Sequence, residues 1–135
     1  MFAFPNWRCL TITALVVCFL IAHGLLHVAI FSPRTDPGAP FDPGHSWLLA
    51  DTHVGAPAQR LTGTGLAIAT AGLYIGAGLV VLVTGRWTPA LVVGAAACGL
   101  ALKLAWFNPW LLLGIALDVG VAYAAFAGIP SSLAG

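Results

Sequence analysis

His23 and His27 stand four residues apart inside one long apolar run, and Lys103 and Asp118 interrupt two others. A charged side chain at the centre of a bilayer costs at least about 2.5–3.5 kcal/mol, so ionisable residues in such runs are functional candidates by default. A spacing of four on a helix stacks both imidazoles on one face, about 6 Å apart, where they can ligate one metal ion or share one proton. Asp118 lies about halfway along its run. Alone in lipid it would be protonated; ionised, it needs a partner. Counting ~1.5 Å of helix per residue from one side of the membrane, His23 and Asp118 fall at similar depth, and Lys103 falls level with His27. His23, His27, Lys103 and Asp118 therefore form a candidate intramembrane polar cluster.

Several chemistries suit such a group. The histidines can act as interhelical glue, hydrogen bonded to Asp118 and to carbonyls, at about 0.6 kcal/mol per bond. They can hold a metal ion or a haem, with Asp118 and the loop histidines His45 and His53 as further ligands to His23 and His27. They can also pass protons, alone or beside a quinone, with Asp118 and His23 as the relay. Lys103 is expected to snorkel, its ammonium among the headgroups. No G-x-x-x-x-G-K-[ST], G-x-S-x-G, H-E-x-x-H or C-x-x-C pattern occurs, so the sequence offers no catalytic motif and points away from an enzyme. Small multidrug transporters of similar length rely on a membrane-embedded Glu in the first helix, and this chain contains no Glu.

Composition says what must position these residues. Only 7% of the 135 residues are charged, against roughly 25% in a soluble domain. Five basic and four acidic side chains cannot dress a globule of this size, so lipid must be the solvent for most of the surface. A net charge of +1 leaves no basic field for nucleic acid. Cys9, Cys18 and Cys98 sit in or beside apolar runs and read as small hydrophobes rather than a disulfide framework.

A hydrocarbon core of about 30 Å takes about 20 helical residues, and four runs approach that length, at about 9–31, 61–84, 89–106 and 110–128. The fold expected is all-α, a four-helix transmembrane bundle forming a single integral membrane domain over 1–135. The first run reads as a retained signal-anchor, because it is long and no small-x-small cleavage site precedes His23. Pro89 fits a first helical turn, and Asn108-Pro109 breaks the chain before the last span. Trp87, Trp106 and Trp110 are expected at membrane interfaces. The one longer loop, 32–60, is turn-rich at its start; Ser46 then suits the N-cap of a short interfacial helix at about 46–53. Pro57 is expected to end whatever precedes the second span.

Small residues recur at four-residue steps in the last three spans: Gly72 and Gly76, Gly94 and Cys98, and Gly120, Ala124 and Gly128. Such stripes let helices approach closely, either inside the monomer or against a second copy or a larger membrane complex. The leading functional expectation is a non-catalytic accessory or assembly subunit. Beside it stand a metal- or haem-binding membrane protein and a proton-coupled transporter or quinone-linked component. The first helix and the loop aspartates favour an amino terminus inside, and the Gly/Ala-rich composition suits a bacterial inner membrane.

Overall fold

The computed structural model describes residues 7–33, 38–84 and 86–129. The proline-rich start of the loop at 34–37 and the tail from Pro130 lie outside them. Within them the chain is all-helical, without a strand: α1 (Trp7–Phe31), α2 (Ala56–Thr84), α3 (Pro89–Ala105) and α4 (Leu112–Phe126), with 3-10 turns at Trp47–Leu49 and Pro109–Leu111. Three stretches, Leu10–Phe31, Ala56–Thr84 and Pro109–Phe126, are long and apolar enough to cross a membrane, the pattern of a multi-pass membrane protein. Pro89–Ala105 is equally apolar but has 17 residues, about 25 Å of helix.

Each helix buries one stripe. On α1 the stripe is Val17, Leu20, His23, Gly24, His27 and Phe31, and on α2 it includes Ala67, Thr70, Ala71, Tyr74, Ala77 and Val81. These steps of three and four are the helical period, so each turn returns to the same face. α1 packs on α2, α2 on α3 and α3 on α4, whereas α1 and α4 make few close backbone approaches. Two apolar layers result. One gathers Leu20, Tyr74, Ala77, Val92, Ala95, Ala96 and Ala125; the other gathers Phe31, Ala67, Leu102, Trp106 and Leu111. The polar residues of α1 lie between Leu20 and Phe31, and so between the two layers.

Close approach is made by glycines other than those of the small-residue steps. A Cβ at Gly24 would stand 3.0 Å from the Tyr74 Cβ and 3.1 Å from the Ala71 carbonyl oxygen, so α1 and α2 touch backbone to backbone there. Gly72, Gly76, Gly94 and Gly120 meet nothing within 4 Å, and Cys98 is exposed. The expectation that these positions pack helices inside the monomer is therefore corrected. Gly72 and Gly76 fall on the side of α2 away from Ala71, Tyr74 and Gly78, because a helix of 3.6 residues per turn can bury only one of two such stripes against a single neighbour. Ala124 alone of the group faces α1, lining an apolar cleft with Leu15, Val16, Phe19 and Leu20. Cys18 is also exposed, and neither thiol is paired.

The loop folds over one end of the helices, and its details differ from the expectation. α2 begins at Ala56, with Pro57 inside its first turn rather than before it; a proline costs nothing there, since its missing N–H would have no partner anyway. The interfacial helix is only the three-residue turn Trp47–Leu49, and Ser46 makes no side-chain cap. Instead Ser46 Oγ donates to the Ala105 carbonyl at 2.5 Å and its N–H donates to Gln59 Oε1 at 2.8 Å, tying the loop to the ends of α3 and α2. Trp106 is buried rather than at an interface, because its Nε1–H donates to the Pro43 carbonyl at 2.8 Å. At the far end of the chain Gly128 takes φ 69° and closes α4, the Ile129 N–H reaching back to the Ala124 carbonyl at 2.9 Å.

Asp42 pins this loop. Its carboxylate accepts from the Gly44 N–H at 2.8 Å and from Arg60 Nη2 at 3.2 Å, and it meets His45 Nδ1 at 3.0 Å. The Gly44 N–H above all, with Arg60 and His45 and against partial desolvation, holds its carboxyl below the ordinary aspartate value of 3.8. A carboxylate lowered in the folded state stabilises it above the unfolded value and ceases to do so as pH falls through the folded one. Acidification below about pH 4 is thus expected to loosen the 42–46 turn. The effect is a few tenths of a kcal/mol because the pair is solvent-screened. Faster hydrogen exchange at the Gly44 N–H would report it, and Asp42→Asn should exchange fast at every pH. Equal, pH-independent protection in both would refute this.

Candidate functional site: a buried five-residue polar cluster

All four helices send a polar side chain to one point between the two apolar layers. α1 supplies His23 and His27, α2 supplies Tyr74, α3 supplies Lys103 and α4 supplies Asp118. None is more than 4% exposed. Asp118 is the hub. Its Oδ1 accepts from Tyr74 Oη at 2.8 Å and from His23 Nε2 at 2.7 Å, and its Oδ2 accepts from Lys103 Nζ at 2.6 Å. Lys103 Nζ also lies 2.5 Å from His27 Nε2.

Hydrogen-bond bookkeeping assigns the protons. His27 Nδ1 lies 2.9 Å from the His23 carbonyl, which can only accept, so Nδ1 carries the proton. Nε2 is then the face turned to Lys103, and a single proton fits in the 2.5 Å between the two nitrogens. The carboxylate of Asp118 makes His23 Nε2 a donor. His23 Nδ1, although buried, has no partner. With Lys103 as the ammonium and Asp118 as the carboxylate, the cluster is electrically neutral and still has one vacant basic nitrogen, His23 Nδ1.

Aromatic rings and absent side chains hold this geometry. His23 stacks on Phe19 with centroids 5.5 Å apart and meets Tyr74 edge-on at 4.9 Å. Gly99 lets the cluster sit against the α3 backbone, since a Cβ there would lie 2.5 Å from Asp118 Oδ2 and 2.8 Å from His27 Nε2. Gly114 does the same for the Lys103 stem, with 2.6 Å to its Cε. Neither glycine nor Tyr74 stands out among the chain's chemistry-bearing residues on sequence grounds. Tyr74 left one signal: a phenol in mid-span needs an acceptor as surely as a carboxylate needs a donor.

Two expectations are corrected here. Lys103 does not snorkel to the headgroups; at 2% exposure it turns inward to Asp118, whose charge substitutes for water around the ammonium. His45 and His53 do not close the site. His45 is largely exposed beside Asp42 and His53 is exposed, because the loop docks on α2 and α3 through Asp42, Ser46 and Gln59. His23, His27 and Asp118 do offer one ligand atom each within 4.8 Å of one another, a spacing that suits a metal ion. Lys103 Nζ, however, stands among those atoms at 2.5 and 2.6 Å. A dication would have to displace it or meet its charge, so the donor set fits a metal poorly while Lys103 is in place.

Helical throughout, apolar, and with three helices long enough to cross a bilayer, the chain has the character of a multi-pass membrane protein with an ionisable centre. Compared with protein-family models, with curated proteins and with solved structures, it gives no match.

Proposed function

We propose that this chain is a four-helix transmembrane bundle whose central cluster binds and releases a proton, as a proton-coupled transporter or a quinone-linked component would require, with Asp118 and His23 as the relay. The observation that carries the reading is the proton count around Lys103, His27 and His23. Lys103 Nζ and His27 Nε2 lie 2.5 Å apart, a separation that holds one proton, and the buried Nδ1 of His23 has no hydrogen-bond partner. A purely structural knot gains nothing from an unpartnered buried nitrogen, which costs about 1–3 kcal/mol. A relay needs such a vacancy. The proposed setting is a bacterial inner membrane with the amino terminus and Arg86 on the cytoplasmic side and the loop bearing Asp42 on the other.

The test is to locate the protons by nitrogen NMR of histidine-labelled protein in liposomes. His27 is expected to hold its proton at Nδ1, and His23 to gain a second proton at Nδ1 on acidification. Asp118→Asn should abolish that uptake. Ring nitrogens of His23 that stay unchanged on acidification would overturn the relay.

A second reading is favoured by a separate observation. A Cβ added at Gly72, Gly76, Gly94 or Gly120 would meet no side chain or neighbouring helix within 4 Å among the described residues, which suits an accessory subunit docking a larger membrane complex or a second copy. The two readings are compatible, since the outward faces and the cluster share no residue.

A further inference from the structure

The apolar walls between α1 and α4 do not close over the cluster. A cavity of about 230 Å³ opens there, with Leu26 and Ile30 of α1 on one wall and Leu113 and Leu117 of α4 on the other. His23, His27 and Lys103 form its polar side and Trp110 stands beside them. Leu26, Leu113 and Trp110 are exposed at the rim, so the opening faces sideways, toward lipid if these helices span the bilayer. Further along both helices a second, separate cavity of about 240 Å³ lies between Leu15, Phe19, Val121 and Ala124, and its lining is almost wholly apolar.

We propose that the α1–α4 cleft binds a membrane-borne quinone, its ring against His23 and Lys103 and its tail along the apolar stretch toward Val121. This rests on the proton-handling reading and names the ligand that would exchange protons with the cluster. Four features select the class. The occupant must be a lipophile, because the walls are leucine and isoleucine and open to the bilayer. Its head must be small, since the polar cavity falls below the roughly 300–1,000 Å³ of drug-sized sites. That size also argues against a haem. The head must be uncharged, because Asp118 already balances Lys103 and a further buried charge would stand alone. Finally, it must meet Lys103 Nζ, of whose three N–H bonds two are taken; the unpartnered Nδ1 of His23 is buried and comes within reach only when the imidazole turns toward the cavity. A quinone carbonyl accepts from Lys103, and the hydroxyl of the quinol donates to His23 once the ring has turned. A hydrocarbon chain offers neither group, and a carboxylate brings an unbalanced charge. The proposal concerns binding alone and assigns no electron donor.

The test uses full-length protein in mild detergent, with a decyl-substituted benzoquinone as probe and decylbenzene, the same tail on a ring without carbonyls, as control. Quenching of tryptophan fluorescence reports binding, Trp110 being at the site. Saturable one-to-one binding of the quinone is expected, not competed by decylbenzene. Leu117→Trp, which fills the cleft without touching Asp118, should weaken it at least tenfold. His23→Gln should weaken it by a similar factor. Unsaturable quenching that is equal in wild type and both variants would overturn the proposal, as would competition by decylbenzene at equal concentration. The failures are distinguishable. Leu117→Trp is expected to keep the His23 proton uptake seen by NMR while losing the quinone; in the wild type, uptake without quinone binding rejects the ligand and spares the relay. Absence of uptake in the wild type rejects the relay itself.

Discussion

Asp118→Ala is expected to destabilise the protein by about 3–5 kcal/mol, the cost of leaving one member of a buried ion pair without the other. The substitution strands the Lys103 ammonium, the His23 Nε2–H and the Tyr74 hydroxyl together, since all three donate to the same carboxylate. Asp118→Asn keeps the shape and one acceptor oxygen, so it should lose less. The informative partner is the double variant Asp118→Leu with Lys103→Met. It removes both charges and fills the same space with apolar atoms, and buried ion pairs replaced in this way are often neutral or even stabilised. Thermal unfolding in a fixed detergent should therefore rank Asp118→Ala lowest, Asp118→Asn above it, and the double variant well above both. A double variant as unstable as Asp118→Ala would mean that the cost lies in packing and not in stranded charge. The double variant should also lose all proton uptake at the cluster, which would separate stability from function in one molecule.

Gly99→Ala should also be destabilising, by less than Asp118→Ala, and Gly94→Ala should not. Both glycines lie on α3, and both substitutions improve helix propensity by up to about 1 kcal/mol. At Gly94 the new methyl meets nothing within 4 Å. At Gly99 it would sit 2.5 Å from Asp118 Oδ2, closer than atoms can stand, and 2.8 Å from His27 Nε2. Asp118 cannot swing away cheaply because Lys103, His23 and Tyr74 hold both of its oxygens. Overpacking of this kind costs about 1–3 kcal/mol, and here it should also break the contact between Lys103 and His27. The readout is twofold: a lower melting temperature, and a change in the His27 nitrogen spectrum that a merely destabilised helix would not produce. A Gly99→Ala protein with the wild-type melting temperature and spectrum would show that α3 lies further from the cluster than described.

Much of the helix plan was legible because lipid is a demanding solvent. Backbone groups inside it must bond within their own segment, so long apolar runs, Pro89 and Asn108-Pro109 were enough to bracket the helices. What the period of the apolar residues could not say was which of two small-residue stripes on α2 would be buried. Gly72 and Gly76 carry the stronger association signal, yet Gly63, Ala67, Ala71, Tyr74 and Gly78 make the inner face. In lipid both faces are equally apolar, so hydrophobicity gives no vote and only helix-to-helix fit decides.

The loop misled for a related reason. Trp106 and Ser46 have the local look of an interface anchor and an N-cap. Each instead bonds a backbone group far along the chain, Pro43 in one case and Ala105 in the other. A capping preference is worth about 1 kcal/mol, and a long-range bond of the same strength can replace it without any trace in the local sequence.

By itself the sequence determined that the chain is helical and built for lipid, and that His23, His27, Lys103 and Asp118 are residues such a solvent tolerates only with partners. Charge scarcity makes that inference independent of any fold. Only the tertiary structure decided who the partners are. It turned Lys103 inward rather than outward, added Tyr74 from α2, left His45 and His53 outside, and opened the α1–α4 cleft beside the cluster. The physical reason is that the cost of burying a charge is set by composition and depth. Its relief is set by distances of 2.5–2.8 Å between side chains on different helices, and those exist only once the helices have packed.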